Sequence, residues 1–318
     1  MDTSLLKPVP VGRPSLFDVS RCSDLDILDA DLAVLGVPFS VPYDLLRSTI
    51  CSTAPQTIRE QSMRFTPRYQ SHYDFDFGGD LLAGRRVEIV DCGDVATSPA
   101  TIPENPSRTT AVVRKILERR AIPIVLGGEH SIPIPVMRAY EGYGPIHIVH
   151  VDAHLDWRDE INGIKDGLSS PLRRASEMPW FSGMTQIGLR GFGSARKEEF
   201  DAARKYGSIL VGAEELHRVG IDEILRRIPA AERYYITIDA DGLDPTIAPG
   251  VAGPAPGGVT YSQVTNLIRG VAAKGRIVGY DFVEVVPSVD VNNITSYLAC
   301  RLILTLLGAL CHTGQIGK

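Results

Sequence analysis

The 318-residue chain predicts an α/β fold with a mostly parallel sheet and helices on both faces. Two observations carry that reading. Short apolar runs alternate with segments of helical spacing along most of the length. The residues best suited to chemistry stand in three short clusters, each closing a strand-like run, where open α/β sheets place their sites.

The elements follow in order. Leu32 to Val37 (LAVLGV) and Val87 to Asp91 (VEIVD) read as strands. Arg108 to Arg120 has helical spacing, with Val112, Val113, Ile116 and Leu117 on one face. Ile122 to Leu126 is a strand stopped by Gly127-Gly128, and Ser131 is placed to cap a helix with Pro133 in its first turn. Further strands are expected at 146–151, 185–189, 208–211, 234–238 and 276–282. Helices are expected near 195–206, 219–228, 261–274 and 291–310. No repeat or low-complexity linker divides the chain. One domain over 1–318 is expected, with 1–30 as an N-terminal extension.

Composition narrows the partners. Lys and Arg number 33 against 38 Asp and Glu, for a net charge of −5. They form no basic stripe, which argues against nucleic acid. Five cysteines without a paired spacing point to a reducing compartment, and no secretory signal opens the chain; a cytoplasmic location is expected. The apolar run Tyr297 to Leu310 is short for a bilayer and contains Arg301, so it reads as a buried helix rather than a membrane span.

The three clusters are His130 in GGEHS, Asp152, His154 and Asp156 in VDAHLDW, and Asp239 and Asp241 in TIDADGLDP. The i, i+2 spacing turns side chains to one side of an extended chain. Four carboxylates this close cannot all stay ionised without cations among them. Two divalent ions would balance them and hold an attacking water. Oxygen with imidazole nitrogen suits Mn²⁺, and also Ni²⁺, Co²⁺ or Zn²⁺. A lone DxHxD is more often a surface turn; three such clusters at strand ends are not. Of the other histidines, His147 and His150 read as packed or hydrogen-bonded, His72 as a loop residue, and His217 and His312 carry no motif.

GGEHS, DAHLD and DADGLDP, together with DFVEVVP, resemble the ureohydrolases, the family of arginase and agmatinase, and agmatinase-like members most. The likeness runs from Leu32 to Leu310. It implies a three-layer α/β/α fold with an eight-stranded, mostly parallel sheet. It implies two metal ions, Mn²⁺ first and Ni²⁺ as the other candidate, and a trimer or hexamer. Carried over by position, His130 and Asp156 would hold one ion and His154 and Asp241 the other, with Asp152 and Asp239 bridging. Asp156 would also pass a proton to the leaving amine. Glu284 resembles the glutamate that holds the substrate guanidinium, through charge-assisted hydrogen bonds; a structural ion pair is the plainer alternative. The implied reaction hydrolyses a small cationic guanidino compound to urea and an amine.

Three loops depart from the family pattern. Leu168 stands where many relatives carry a histidine, in LSSPLRRA from 168 to 175. The stretch 36–59 replaces a glycine-rich middle with bulkier residues, which should narrow the pocket mouth. The run 250–258 (GVAGPAPGG) has Ala255 where relatives have glutamate. Trp157 is read either as a pocket wall or as a core aromatic, and Arg158 either as a tail contact or as solvated. Agmatine is the expected substrate, with guanidine, an alkylguanidine, a biguanide or guanidinobutyrate as alternatives. A second reading is a catalytically weak metal-binding subunit that supports a homologous partner in a hetero-oligomer.

Overall fold

A computed structural model describes residues 5–43 and 49–318. Its centre is a ten-stranded sheet. Eight strands form the parallel body: β1 Leu32–Val37, β2 Ile89–Val95, β3 Ile122–Gly127, β4 Ile146–Val151, β5 Phe181–Leu189, β6 Ile209–Gly212, β7 Arg233–Asp239 and β8 Arg276–Val283. They lie in the order β2-β1-β3-β8-β7-β4-β5-β6. The two additions to the expected eight come from the N-terminal segment. Leu6–Lys7 runs antiparallel to β2, and Ser20–Arg21 pairs parallel with it.

Alternation along the strands builds two cores. β1 sends Leu32 and Val34 to one face and Ala33, Leu35 and Val37 to the other. The first face is covered by α1 (Ala54–Ser62), α6 (Ala213–Val219), α7 (Ile221–Arg227), α8 (Tyr261–Lys274) and α9 (Ile294–His312). The second is covered by α2 (Asn105–Glu118), α3 (Pro133–Arg138), α4 (Pro171–Ala175) and α5 (Lys197–Tyr206). This is a three-layer α/β/α arrangement with both sheet faces dry, which is why the strands read as continuous apolar runs.

Some boundaries differ from the sequence reading, each for a local reason. β2 continues through the polar residues Asp91 to Asp94 because Arg59 of α1 neutralises them. The buried guanidinium donates from Nε and Nη2 to Asp91 at 2.8 and 3.0 Å, and from Nη1 to Asp94 at 2.6 Å. The helix expected over 219–228 is α7, Ile221–Arg227; α6, which was not expected, precedes it and is parted from it at Gly220, whose φ of +82° suits glycine. Ser131 does not cap α3; its hydroxyl donates to Glu129 Oε1 at 2.6 Å. α9 is apolar enough to cross a bilayer by composition, yet most of it is buried in the core, and Arg301 on its partly exposed side pairs with Asp74 and Asp76.

His147 in β4 is a packed histidine, as expected. Its Nε2 lies 2.9 Å from Thr185 Oγ1, and burial lowers its pKa to about 4. It stays neutral in the fold but takes a proton in the unfolded chain below its ordinary pKa. Stability is therefore present above about pH 6.5 and lost as pH falls toward 4. Wild type is expected to lose about 3 kcal/mol more than His147→Gln over that range, in urea unfolding of the metal-free chain. Parallel pH curves for the two proteins would contradict this.

Candidate metal centre

β3, β8, β7 and β4 are consecutive in the sheet, and each ends in a piece of the site. His130 follows β3, Glu284 follows β8, Asp239 ends β7 with Asp241 in the next turn, and Asp152 to Asp156 follow β4. Parallel strands put all four ends on one edge. The turn Ala240–Gly242 comes close enough because residue 242 is glycine; a Cβ there would lie 2.6 Å from the Asp152 backbone. Asp156 and Glu284 have φ of +51° and +63°, a left-handed conformation that costs a non-glycine residue about 1–3 kcal/mol. Both are held there by backbone bonds, Arg173 N to Asp156 O at 3.2 Å and Glu284 N to Gly128 O at 2.8 Å.

All six side chains named from the sequence come together. Around His130 Nδ1 stand Asp156 Oδ2 at 2.8 Å, Asp239 Oδ2 at 3.1 Å and Asp152 Oδ2 at 3.2 Å. Around His154 Nδ1 stand Asp241 Oδ2 at 3.2 Å and Asp152 Oδ1 at 3.3 Å. Asp152 thus offers one oxygen to each group. Asp239 faces His130 through Oδ2, while its Oδ1 accepts the Asp241 amide at 2.8 Å and holds the turn.

The donor set fits divalent metal. Thr237 has one hydroxyl hydrogen, and it goes to Asp281 Oδ1 at 2.6 Å. Toward His130 Nε2, 3.4 Å away, Thr237 can only accept, so Nε2 carries the imidazole proton. His130 Nδ1 then points a lone pair at three carboxylate oxygens. Neither it nor Asp156 Oδ2 has a hydrogen-bond partner, although both are buried. Positive charge among these atoms resolves the conflict, either a second proton on His130, which the surrounding carboxylates favour, or a metal ion.

The titration behaviour agrees. Burial, and then the neighbouring Asp152, raises the pKa of Asp156 and Asp241, while burial with Asp241 and Asp152 raises Asp239 well above the usual carboxylate range. Hydrogen bonds to Asp152 and Asp241 raise His154 to about 12. The cluster draws positive charge, by proton or by metal.

A layer of partners orients these groups. His150 is hydrogen-bonded, as expected, with Nε2 at 2.9 Å from Asp152 Oδ2. Gln186 decides its tautomer. The amide nitrogen donates to Leu155 O at 2.7 Å and faces His150 Nδ1 at 3.3 Å, while its oxygen accepts from Ser208 at 2.9 Å. His150 Nε2 is therefore the protonated nitrogen and donates to Asp152. Glu284 accepts the His130 amide on Oε1 at 2.8 Å, and among the described residues its Oε2 meets the Cys51 thiol at 3.5 Å. Burial pushes its pKa up to about 7 against that amide bond.

The changed loops have definite partners. Leu168 is half-buried. Tyr43 packs its ring on Gly167, with its hydroxyl 3.3 Å from Ser170 Oγ and 3.4 Å from the Ser169 amide. Two departures from the family pattern, the 36–59 stretch and the 168–175 segment, therefore touch. The bulky middle of the former, 44–48, lies outside the described residues. Trp157 is 3% exposed beside Tyr206, a core aromatic rather than a wall. Arg158 pairs with Glu199. His72 is exposed and contacts Ser71, whereas His217 bonds Gly257 O and Gln263. Sequence reading missed Gln186, Cys51, Tyr43 and Arg190. Only Arg190, directly at the end of β5, occupies a position that could have flagged it.

A parallel α/β sheet with a buried Asp/His metal cluster on the carboxyl ends of its central strands defines a metal-dependent hydrolase. Residues 30–308 match the arginase family, and the chain belongs to that family, whose ureohydrolases cleave C–N bonds of guanidino compounds. It is 32% identical over 298 residues to the guanidinobutyrase of Pseudomonas aeruginosa, covering 92% of this chain and 89% of that protein. It is 33% identical over 308 residues to the mitochondrial agmatinase of Gallus gallus, covering 95% and 86%. The solved agmatine ureohydrolase of Thermoplasma volcanium superposes with a TM-score of 0.74 at 31% identity, covering 88% and 90%.

Gln186→Leu removes the group that fixes His150. Affinity for divalent metal is expected to fall about tenfold or more, read by competition with a chromogenic chelator. An unchanged affinity would remove His150 and Gln186 from the account of the site.

Proposed function

We propose that the chain hydrolyses agmatine to urea and an amine at a pair of Mn²⁺ ions, with Ni²⁺ as the alternative metal. His130, Asp156, His154, Asp241, Asp152 and Asp239 would hold the ions, His130 with Asp156 on one side and His154 with Asp241 on the other. The observation that carries this reading is the division of Asp152, with Oδ2 toward His130 and Oδ1 toward His154.

When bound, the two ions supply a water acidic enough to be a nucleophile at neutral pH. The chain supplies the rest. Glu284 is fixed through Oε1, leaving Oε2 to accept from the substrate guanidinium and orient its carbon over the centre. A pKa near 7 makes that carboxylate readily ionised by an arriving cation. Asp156 takes the proton released by the attacking water on the carboxylate oxygen that is not turned to His130 and delivers it to the departing nitrogen; burial, which favours its protonated form, suits it to that work. The buried surroundings of Asp152 and Asp239 exclude bulk water.

Charge supports a cationic substrate. Four aspartates balance two divalent ions, and Glu284 adds one negative charge. Arg158 is engaged with Glu199 and Arg190 with backbone carbonyls, so neither is set out to meet a carboxylate tail. This favours agmatine over guanidinobutyrate; guanidine, alkylguanidines and biguanides fit the same charge. A homo-oligomer of three or six copies is proposed as well, on the family resemblance. Cysteines free of disulfides support a cytoplasmic setting.

The test is urea release by the purified chain across guanidino compounds, after reconstitution with manganese and with nickel. Agmatine is expected to be turned over fastest, and the chelated chain to be inert. No urea with any compound and either metal would sink the reading and favour the non-catalytic subunit, for which Leu168 in place of a histidine speaks. Glu284→Gln is expected to lower kcat/KM for agmatine at least about thirtyfold while metal content stays at wild-type level. Loss of metal instead would reassign Glu284 to holding His130.

A further inference from the structure

Arg190 sits one residue past β5 and is described by none of the roles above. Among the described residues its guanidinium donates to backbone carbonyls. Nη2 reaches Asp241 O at 2.7 Å, Ala255 O at 2.6 Å and Leu243 O at 3.2 Å. Nη1 reaches Gly188 O and Gly242 O, both at 3.0 Å. Nε reaches Ala255 O at 3.1 Å and Pro256 O at 3.2 Å. Its own amide donates to Ala153 O at 3.0 Å. The side chain therefore joins the turn that carries Asp241 to the 250–258 run that departs from the family pattern, and the backbone of the same residue adds the loop after Asp152.

The surroundings are shaped to it. At Gly258 a Cβ would lie 2.6 Å from Arg190 Nη2, so the guanidinium fills the room a side chain would take. Asp244 holds the same run from the other side, accepting the Gly257 and Gly258 amides at 2.9 and 3.1 Å. A planar fork of five N–H donors can serve carbonyls converging from several loops; the three donors of a lysine cannot. Carbonyl oxygens gathered this closely also repel one another unless a cation lies among them.

We propose that Arg190 is a positioning residue that fixes the Asp241 turn against the 250–258 run, so that one side chain sets both the His154–Asp241 metal position and the adjoining wall. It acts through backbone and touches neither metal nor substrate. The His130–Asp156 position, built from β3 and the far side of the metal loop, does not depend on it. The inference rests on the two-ion reading above.

The experiment is a calorimetric Mn²⁺ titration of the chelated chain, with the melting temperature of the metal-free chain measured alongside. Asp241→Ala first marks which of the two binding steps belongs to its side. Arg190→Ala is expected to weaken that step at least about tenfold and to change the other by less than about threefold. Arg190→Lys, which keeps the charge but reaches fewer carbonyls, is expected to fall between, and it carries the test should the alanine variant not fold. Amide hydrogen exchange should quicken at 241–258 and stay unchanged around His130. Equal weakening of both steps, or of neither, in the lysine variant would overturn the inference while leaving two ions in place. A wild-type chain that takes a single ion would overturn the two-ion reading and this inference together.

Discussion

The arrangement depends on repulsion. Four aspartates meet at one buried edge with a glutamate beside them, a collection that ionises in full only around positive charge. The fold accepts this by stationing the acids on four neighbouring strand ends, where backbone and core leave them no room to part. Left-handed backbone at Asp156 and Glu284, and a glycine where the Asp241 turn presses on Asp152, are local concessions to the same demand. A structure that resists its own centre in this way gains stability when metal arrives.

Around that centre lies a graded set of hydrogen bonds. Ser208, Gln186 and His150 lead inward to Asp152, and Asp281 with Thr237 leads to His130. Each chain settles which imidazole nitrogen bears the proton. Arg190 works differently, bracing loops from beneath through their carbonyls. The acidic and imidazole side chains of the cluster are thus oriented from two sides by groups outside it.

Much of this was legible in the sequence because its signals are short-range. The i, i+2 spacing in DAHLD and DADG needs only an extended strand end to converge, and the alternation of apolar runs with helical spacing gives the layers directly. What escaped depends on distant partners. Arg59 keeps β2 going through acidic residues from 32 and 35 positions away. Gln186 reaches His150 across 36 residues, and Arg190 reaches Ala255 across 65. The misreading of Ser131 has a local origin: Glu129, two residues away, competes for its hydroxyl, and a capping pattern does not reveal the competitor. Trp157 was ambiguous because a core aromatic and a pocket wall look alike until Tyr206 appears beside it.

The chain has two tryptophans, and one of them is the immediate neighbour of Asp156. Its indole is sealed in the core, with no partner for its N–H and a tyrosine ring 5.7 Å away. An indole so enclosed, one peptide bond from Asp156, is a built-in fluorophore whose emission would report a change of charge beside it, with the half-buried Trp180 as the second emitter.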